Sequence, residues 1–172
     1  MIMNEHLKSA QNSLDIRAVN LKESSIFVRD KVDLPSLDRE KTITQAYRGV
    51  ARVQKTSFTD SQKQEVWDYR FVYTSGVRLI FSEEEAAGKA EGYKPIVEIT
   101  GVFIAKYFSQ RKLEEEELKA FCEDSVGYHI WPYWREYVQS TCARIDFSPV
   151  FEVPVYFMPQ HKGKIINAKE EP

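Results

Sequence analysis

Any chemistry in this chain would have to come from a few scattered groups: His6, His129 and His161, the cysteines Cys122 and Cys142, and the carboxylate runs Glu83 to Glu85 and Glu114 to Glu117. The cysteines are far apart and lack the paired CxxC spacing of a zinc site or redox dithiol, so free thiols are expected. The histidines share no ligand spacing, and no metal site is expected. The carboxylate runs have the chemistry to bind a cation or supply general acids. Uniform runs of this kind also suit a solvated loop and a helix start, where the helix dipole favours negative charge. His129, with Tyr128 and Glu136 near it in sequence, has the parts of a proton relay, but a lone histidine at a helix start serves structure equally well. GxGxxG, Walker A, HExxH and GxSxG motifs are all missing, and no nucleophile is paired with a base. No catalytic residue and no cofactor is assigned.

Aromatic content is the unusual quantity. Ten Phe, nine Tyr and three Trp make 13% of 172 residues, and 42% of the chain is hydrophobic. That is enough for one sizeable core, expected as a single domain over 1–157 followed by a flexible tail over 158–172. A formal charge of −2 gives no positive field to attract nucleic acid or anionic lipid. The N-terminus lacks the basic-then-apolar pattern of a secretion signal, and no apolar run approaches the roughly 20 residues of a membrane helix. A cytoplasmic protein with no direct membrane insertion is expected.

Four segments read as strands. LDIRAVNLKESSIFVR alternates at Leu14, Ile16 and Ala18 and again at Ile26 and Val28, with a bulge admitted at the polar KESS. Residues 30–41 then form a long loop with apolar anchors at Val32, Leu34 and Leu37, and connections of that length are often functional. The second strand lies within TITQAYRGVARVQKTSF, with Ile43, Tyr47, Ala51 and Val53 expected on one face and Arg48 and Arg52 on the other. A turn follows in TDSQKQ. The third strand carries the clearest signal: Trp67, Tyr69, Phe71, Tyr73, Val77, Leu79 and Phe81 alternate with Asp68, Arg70, Thr74 and Arg78, giving one buried and one wet face. The fourth is PIVEITGVFIAKYF. Beyond Phe108 the period changes. Leu118 and Phe121 share one side of a helix in LEEEELKAFCED, and Trp131, Trp134, Val138, Cys142 and Ile145 recur at three and four as an amphipathic stripe. Pro132 is expected at that helix's first turn or at a kink. The fold class is α+β: a four-stranded antiparallel sheet followed by a long amphipathic helix.

The run HIWPYWREYVQSTCARIDFSPVFEVPVYF resembles the most distinctive stretch of the SecB chaperone family, an aromatic-Pro-Tyr-x-Arg-Glu motif that opens a long helix. Trp131, Pro132, Tyr133, Arg135 and Glu136 match its first part, Arg144 and Phe147 its middle, and Pro154 and Val155 its end. The likeness spans roughly residues 12–157, by motif at the helix and by pattern in the strands. It implies a SecB-like fold, a homotetramer built as a dimer of dimers, and an ATP-independent chaperone that holds unfolded or nascent polypeptides in a hydrophobic groove. It also implies site residues: client binding by Val32, Leu34, Leu37, Phe71, Tyr73, Trp131 and Trp134; subunit contacts by Tyr133, Tyr137, Val138 and Thr141; and docking of the SecA motor at Glu23, Ile96 and Glu98. Where export members are acidic on the outer sheet face, this chain places Phe27 at one such position and arginines on strands two and three. Its tail after Pro159 is short and of mixed charge. These departures tilt the expected role from general export toward a dedicated client, such as the antitoxin of a toxin-antitoxin-chaperone system. Outside that class, the aromatic strands also suit a small-molecule or single-stranded nucleic-acid binding domain.

Overall fold

Alternation along four segments builds the sheet. The computed structural model describes residues 5–154 and Tyr156. Its elements are α1 (Glu5–Ser13), β1 (Asp15–Val28), β2 (Thr42–Thr59), β3 (Glu65–Phe81), β4 (Val97–Ser109) and α2 (Glu115–Arg144), with short 3-10 turns in the two long loops. All strand pairs are antiparallel, in the order β1-β4-β3-β2. On one face, Tyr69, Phe71, Tyr73, Val77 and Leu79 of β3 and Val97, Ile99, Phe103, Ala105 and Tyr107 of β4 are buried beneath α2. Rings interlock there: Phe71 meets Tyr107 at 5.3 Å and Phe121 at 5.5 Å between centroids. The four-stranded antiparallel sheet and late long helix are as the sequence predicts.

Three details differ from that reading. The second strand carries a bulge between Val50 and Arg52, which makes Ala51 an extra residue and inverts the alternation. Pairing with β3 therefore puts Ile43 and Tyr47 on the outer face, Val53 on the helix side, and Arg48 on the helix side rather than beside Arg52. Helix α2 is one continuous element of 30 residues, so Pro132 lies in its interior instead of its first turn. A helix precedes β1 where the sequence has only Leu7 and Ala10 as apolar guides; both are buried. So short a helix is marginal alone and is held by tertiary contacts. Arg111 donates to the Ser9 and Ser13 hydroxyls at 2.9 and 3.0 Å and forks onto Glu117 at 2.6 and 2.9 Å. The first strand has two bulges, between Ile16 and Ala18 and between Leu21 and Glu23; the second begins the KESS stretch.

The carboxylate runs are absorbed into the scaffold. Glu114 and Glu117 close a capping box at the start of α2, and Glu115 pairs with Lys55. Glu84 accepts both guanidinium arms of Arg29, at 3.1 and 2.8 Å, and the Tyr93 hydroxyl at 2.5 Å. These bonds pin the β3–β4 loop to the end of β1 and hold the Glu84 carboxyl below its ordinary range.

Candidate functional site

Strand β1 is a sheet edge, and α2 packs across β2, β3 and β4 while barely reaching it. Ile16, Leu21 and Ile26 pair with Tyr107, Phe103 and Ile99, so they share the helix-side face of the sheet. Yet they are 42%, 45% and 46% exposed, while their β4 partners are closed over. The result is an open apolar strip along β1, the kind of surface that marks an interaction site in a folded protein.

At the Ile16 end the strip meets a cavity of about 250 Å³ between α1, β1 and α2, lined by Gln11, Leu14, Ile16, Phe121, Ser125, Tyr128 and His129. A second cavity of about 320 Å³ shares Tyr128 and His129 and continues to Trp131, Pro132, Arg135 and Tyr156. Their walls are fixed from behind. The Trp131 indole N–H donates to the Pro154 carbonyl at 2.6 Å, and the Tyr156 hydroxyl donates to the Asp124 carbonyl at 3.4 Å. The Arg48 guanidinium lies 4.6 Å from the Trp131 ring and 4.5 Å from the Tyr156 ring. This contact exists because the β2 bulge turned Arg48 inward.

Titration behaviour follows burial. Desolvation lowers the His129 pKa, so its imidazole is neutral near pH 7, and raises that of Tyr107. The Tyr107 hydroxyl and His129 Nδ1 share a hydrogen bond across 3.0 Å, with the donor set by the imidazole tautomer. His129 is tied to the sheet rather than to Glu136. Both cysteines are free; burial pushes Cys122 up to about 11 and raises Cys142, so neither thiol is a nucleophile at neutral pH. Among the described residues, no group of three His, Cys, Asp or Glu side chains is placed to hold a metal, and no helix is long and apolar enough to cross a membrane.

The residues singled out in the sequence are only partly brought together here. Trp131 lines the second cavity but is itself 7% exposed, and Trp134 is packed edge-on against Phe103. Phe71 and Tyr73 lie in the core under α2, because β3 is central in the sheet. In the long β1–β2 loop Leu34 is buried, while Val32 and Leu37 are half-buried against the core. Of the expected subunit contacts, Tyr133 is half exposed and Tyr137 half-buried, whereas Val138 and Thr141 fall on the inward stripe of α2 and are wholly buried within the protomer. Glu23 and Glu98 both sit on the outer sheet face, where Glu98 pairs with Phe27 and Glu23 lies four residues, about 13 Å, further along β1. Ile96 is completely buried. The tail over 158–172 falls outside the described residues. Sequence reading passed over the openness of Leu21 and Ile26 and the placement of Arg48 and Tyr156. Alternation signals a strand face, but not whether a helix reaches far enough to cover it.

No protein-family model and no curated protein matches the chain. Among solved structures, the Mycobacterium tuberculosis Rv1957 SecB-like chaperone, in complex with a ChAD peptide from the Rv1956 HigA1 antitoxin, is similar with a TM-score of 0.53 at 15% identity, over 87% of this chain and 97% of that one. The chain thus has the SecB-like fold that the motif around Trp131 implies.

Proposed function

We propose that this protein is an ATP-independent holding chaperone that retains unfolded or nascent polypeptide on an exposed apolar surface. The observation that carries the reading is the open strip of Ile16, Leu21 and Ile26, which leads to two neighbouring cavities that share the Tyr128 and His129 walls. A non-native chain offers scattered apolar side chains on an extended backbone. A strip with cavities along it takes such side chains one at a time without demanding a sequence. Relative to the sequence-level assignment, the binding surface moves outward: Phe71, Tyr73 and Leu34 support it from beneath, while β1 and the exposed edge of α2 meet the client.

The antitoxin-dedicated role is favoured over general export, with two observations in support. The similar structure is that of a chaperone bound to an antitoxin peptide. Of the three positions expected to meet the SecA motor, Ile96 is buried, and Glu98 is flanked by Phe27 with Arg78 across from it on β3. Such a face is poorly suited to a cationic docking partner. Assembly as a homotetramer, with the side of α2 that carries Tyr133 at a subunit seam, completes the reading; four chains of 20.1 kDa give about 80 kDa by light scattering.

The test is suppression of a denatured client's aggregation without nucleotide, comparing the parent with the double variant Leu21→Ser, Ile26→Ser. The parent suppresses aggregation at stoichiometric ratio, and the variant loses most of that capacity while keeping its circular dichroism spectrum. A parent that leaves aggregation unchanged would overturn the chaperone reading. A fully active double variant would remove β1 from the site.

A further inference from the structure

We infer that the cavity around Arg135 is a receptor for a carboxylate carried on an apolar polypeptide segment, an inference that rests on the polypeptide-holding role above. The cavity, about 320 Å³, has room for one large side chain. Its walls are the rings of Tyr128, Trp131 and Tyr156 with Pro132 and His129, and no Arg, Lys, Asp or Glu other than Arg135 lines it. Among the described residues, Arg135 has no ion pair, and its Nε is buried with no acceptor. A buried donor left without a partner is costly, and a charged one more so, which makes an arriving acceptor worth more here than on an open surface.

The surroundings specify what that acceptor is. No carboxylate lines the cavity, and Arg48 adds positive potential from its place against the same Trp131 and Tyr156 rings. One arginine fork between aromatic walls matches a planar monoanion on an apolar stem. A phosphate would call for more cations and fewer rings. The backbone contributes as well. Pro132 has no N–H, so the carbonyl of Tyr128, itself a lining residue, lacks its usual helical donor. Glu136, next in sequence, is exposed and does not line the cavity, so it leaves the guanidinium uncompensated.

Two sources supply such a carboxylate: an Asp or Glu side chain within the client, or the α-carboxylate at a chain end. Three fluorescently labelled peptides of one apolar sequence separate them. One carries an internal Glu and an amidated end, one an internal Gln and a free end, and one an internal Gln and an amidated end. Fluorescence anisotropy against the full chain is expected to show about tenfold tighter binding of one carboxylate peptide than of the neutral one, and which peptide gains identifies the source. Arg135→Gln abolishes that preference while holding the neutral peptide within about twofold of the parent, and Arg135→Lys restores part of it. Equal binding of all three peptides by the parent overturns the inference. So does an Arg135→Gln variant that weakens all three alike, since that is the mark of a merely structural arginine. A parent that binds none of them defeats the polypeptide-holding role itself.

Discussion

The helix-side face of the sheet has two halves that share composition but differ in cover. On β3 and β4, Phe71, Tyr107 and Ile99 are sealed beneath α2; on β1, one hydrogen-bonded step away, Ile16, Leu21 and Ile26 stand more than 40% exposed. Both halves put apolar side chains on this face, although the two β1 bulges break the strict alternation that β3 and β4 keep. The contrast is therefore set by where the strand lies in the sheet order and how far the helix reaches. An apolar side chain under α2 stabilises the fold, whereas one on β1 contributes little to the protomer and is free to bind something else.

Unfolding measurements break the comparison most sharply. Phe71→Ala empties a site closed on every side and is expected to cost about 3–5 kcal/mol of stability. Leu21→Ser removes a side chain already half in water and should cost less than about 1 kcal/mol. Urea titrations of the two variants, read at fixed m-value, decide the matter. If Leu21→Ser proves as damaging as Phe71→Ala, then β1 belongs to the folded core in solution and the open strip is not a binding surface.

This contrast also marks how much could be read from residues alone. Period-two alternation at Tyr69, Phe71 and Tyr73, and the three-and-four spacing through Trp134, Val138 and Cys142, made the sheet and long helix legible, because burial imposes those periods directly. Ala51 did not announce itself as a bulge, since one inserted residue looks like any other until its partner strand is in register. Pro132 left two positions open, the first turn or a kink, and it lies in the interior of α2, where the rest of a long, well-packed helix outweighs the loss of one backbone bond. The nine residues of α1 carry too weak a pattern to predict. Their stability depends on Arg111 and Glu117, about a hundred residues away. Exposure was illegible for the same reason, because sequence reports which side chains are apolar and only the assembled edge shows which of them stay open.

The α1 clamp gives a second, smaller test, because it anchors the end of the sealed half nearest the strip. Arg111 and the Glu114 backbone N–H hold the Glu117 carboxyl at about 2, far below the ordinary glutamate value. A carboxylate depressed on folding stabilises the native state above its unfolded pKa, and that contribution fades as pH falls from about 5 toward 2. Arg111 is itself about two-fifths exposed, which screens the pair. Glu117→Gln is therefore expected to lose about 1–2 kcal/mol at pH 7, with the gap from the parent closing near pH 2. A gap independent of pH would mean that packing, and not this ion pair, holds α1 in place.

The smallest effect on stability carries the most information about the open half. Gly127 sits on α2 beneath Tyr156, and the nearest atoms that a β-carbon there would overlap are those of the tyrosine hydroxyl and ring. Alanine in a helix interior favours the helix by about 1 kcal/mol over glycine. Against this stand the Tyr156 bond to the Asp124 carbonyl and its ring contact with Trp131, centroids 5.4 Å apart, which Gly127→Ala dislodges. The two changes nearly offset, so the melting temperature should move by only a few degrees. Trp131, by contrast, loses a neighbour, and acrylamide quenching of tryptophan fluorescence should rise. With Tyr156 swung away, the Arg135 cavity opens on one side, and retained peptides should dissociate faster. If quenching and dissociation both match the parent, Tyr156 is not a wall of the site, and the aromatic enclosure reduces to Trp131 and Tyr128.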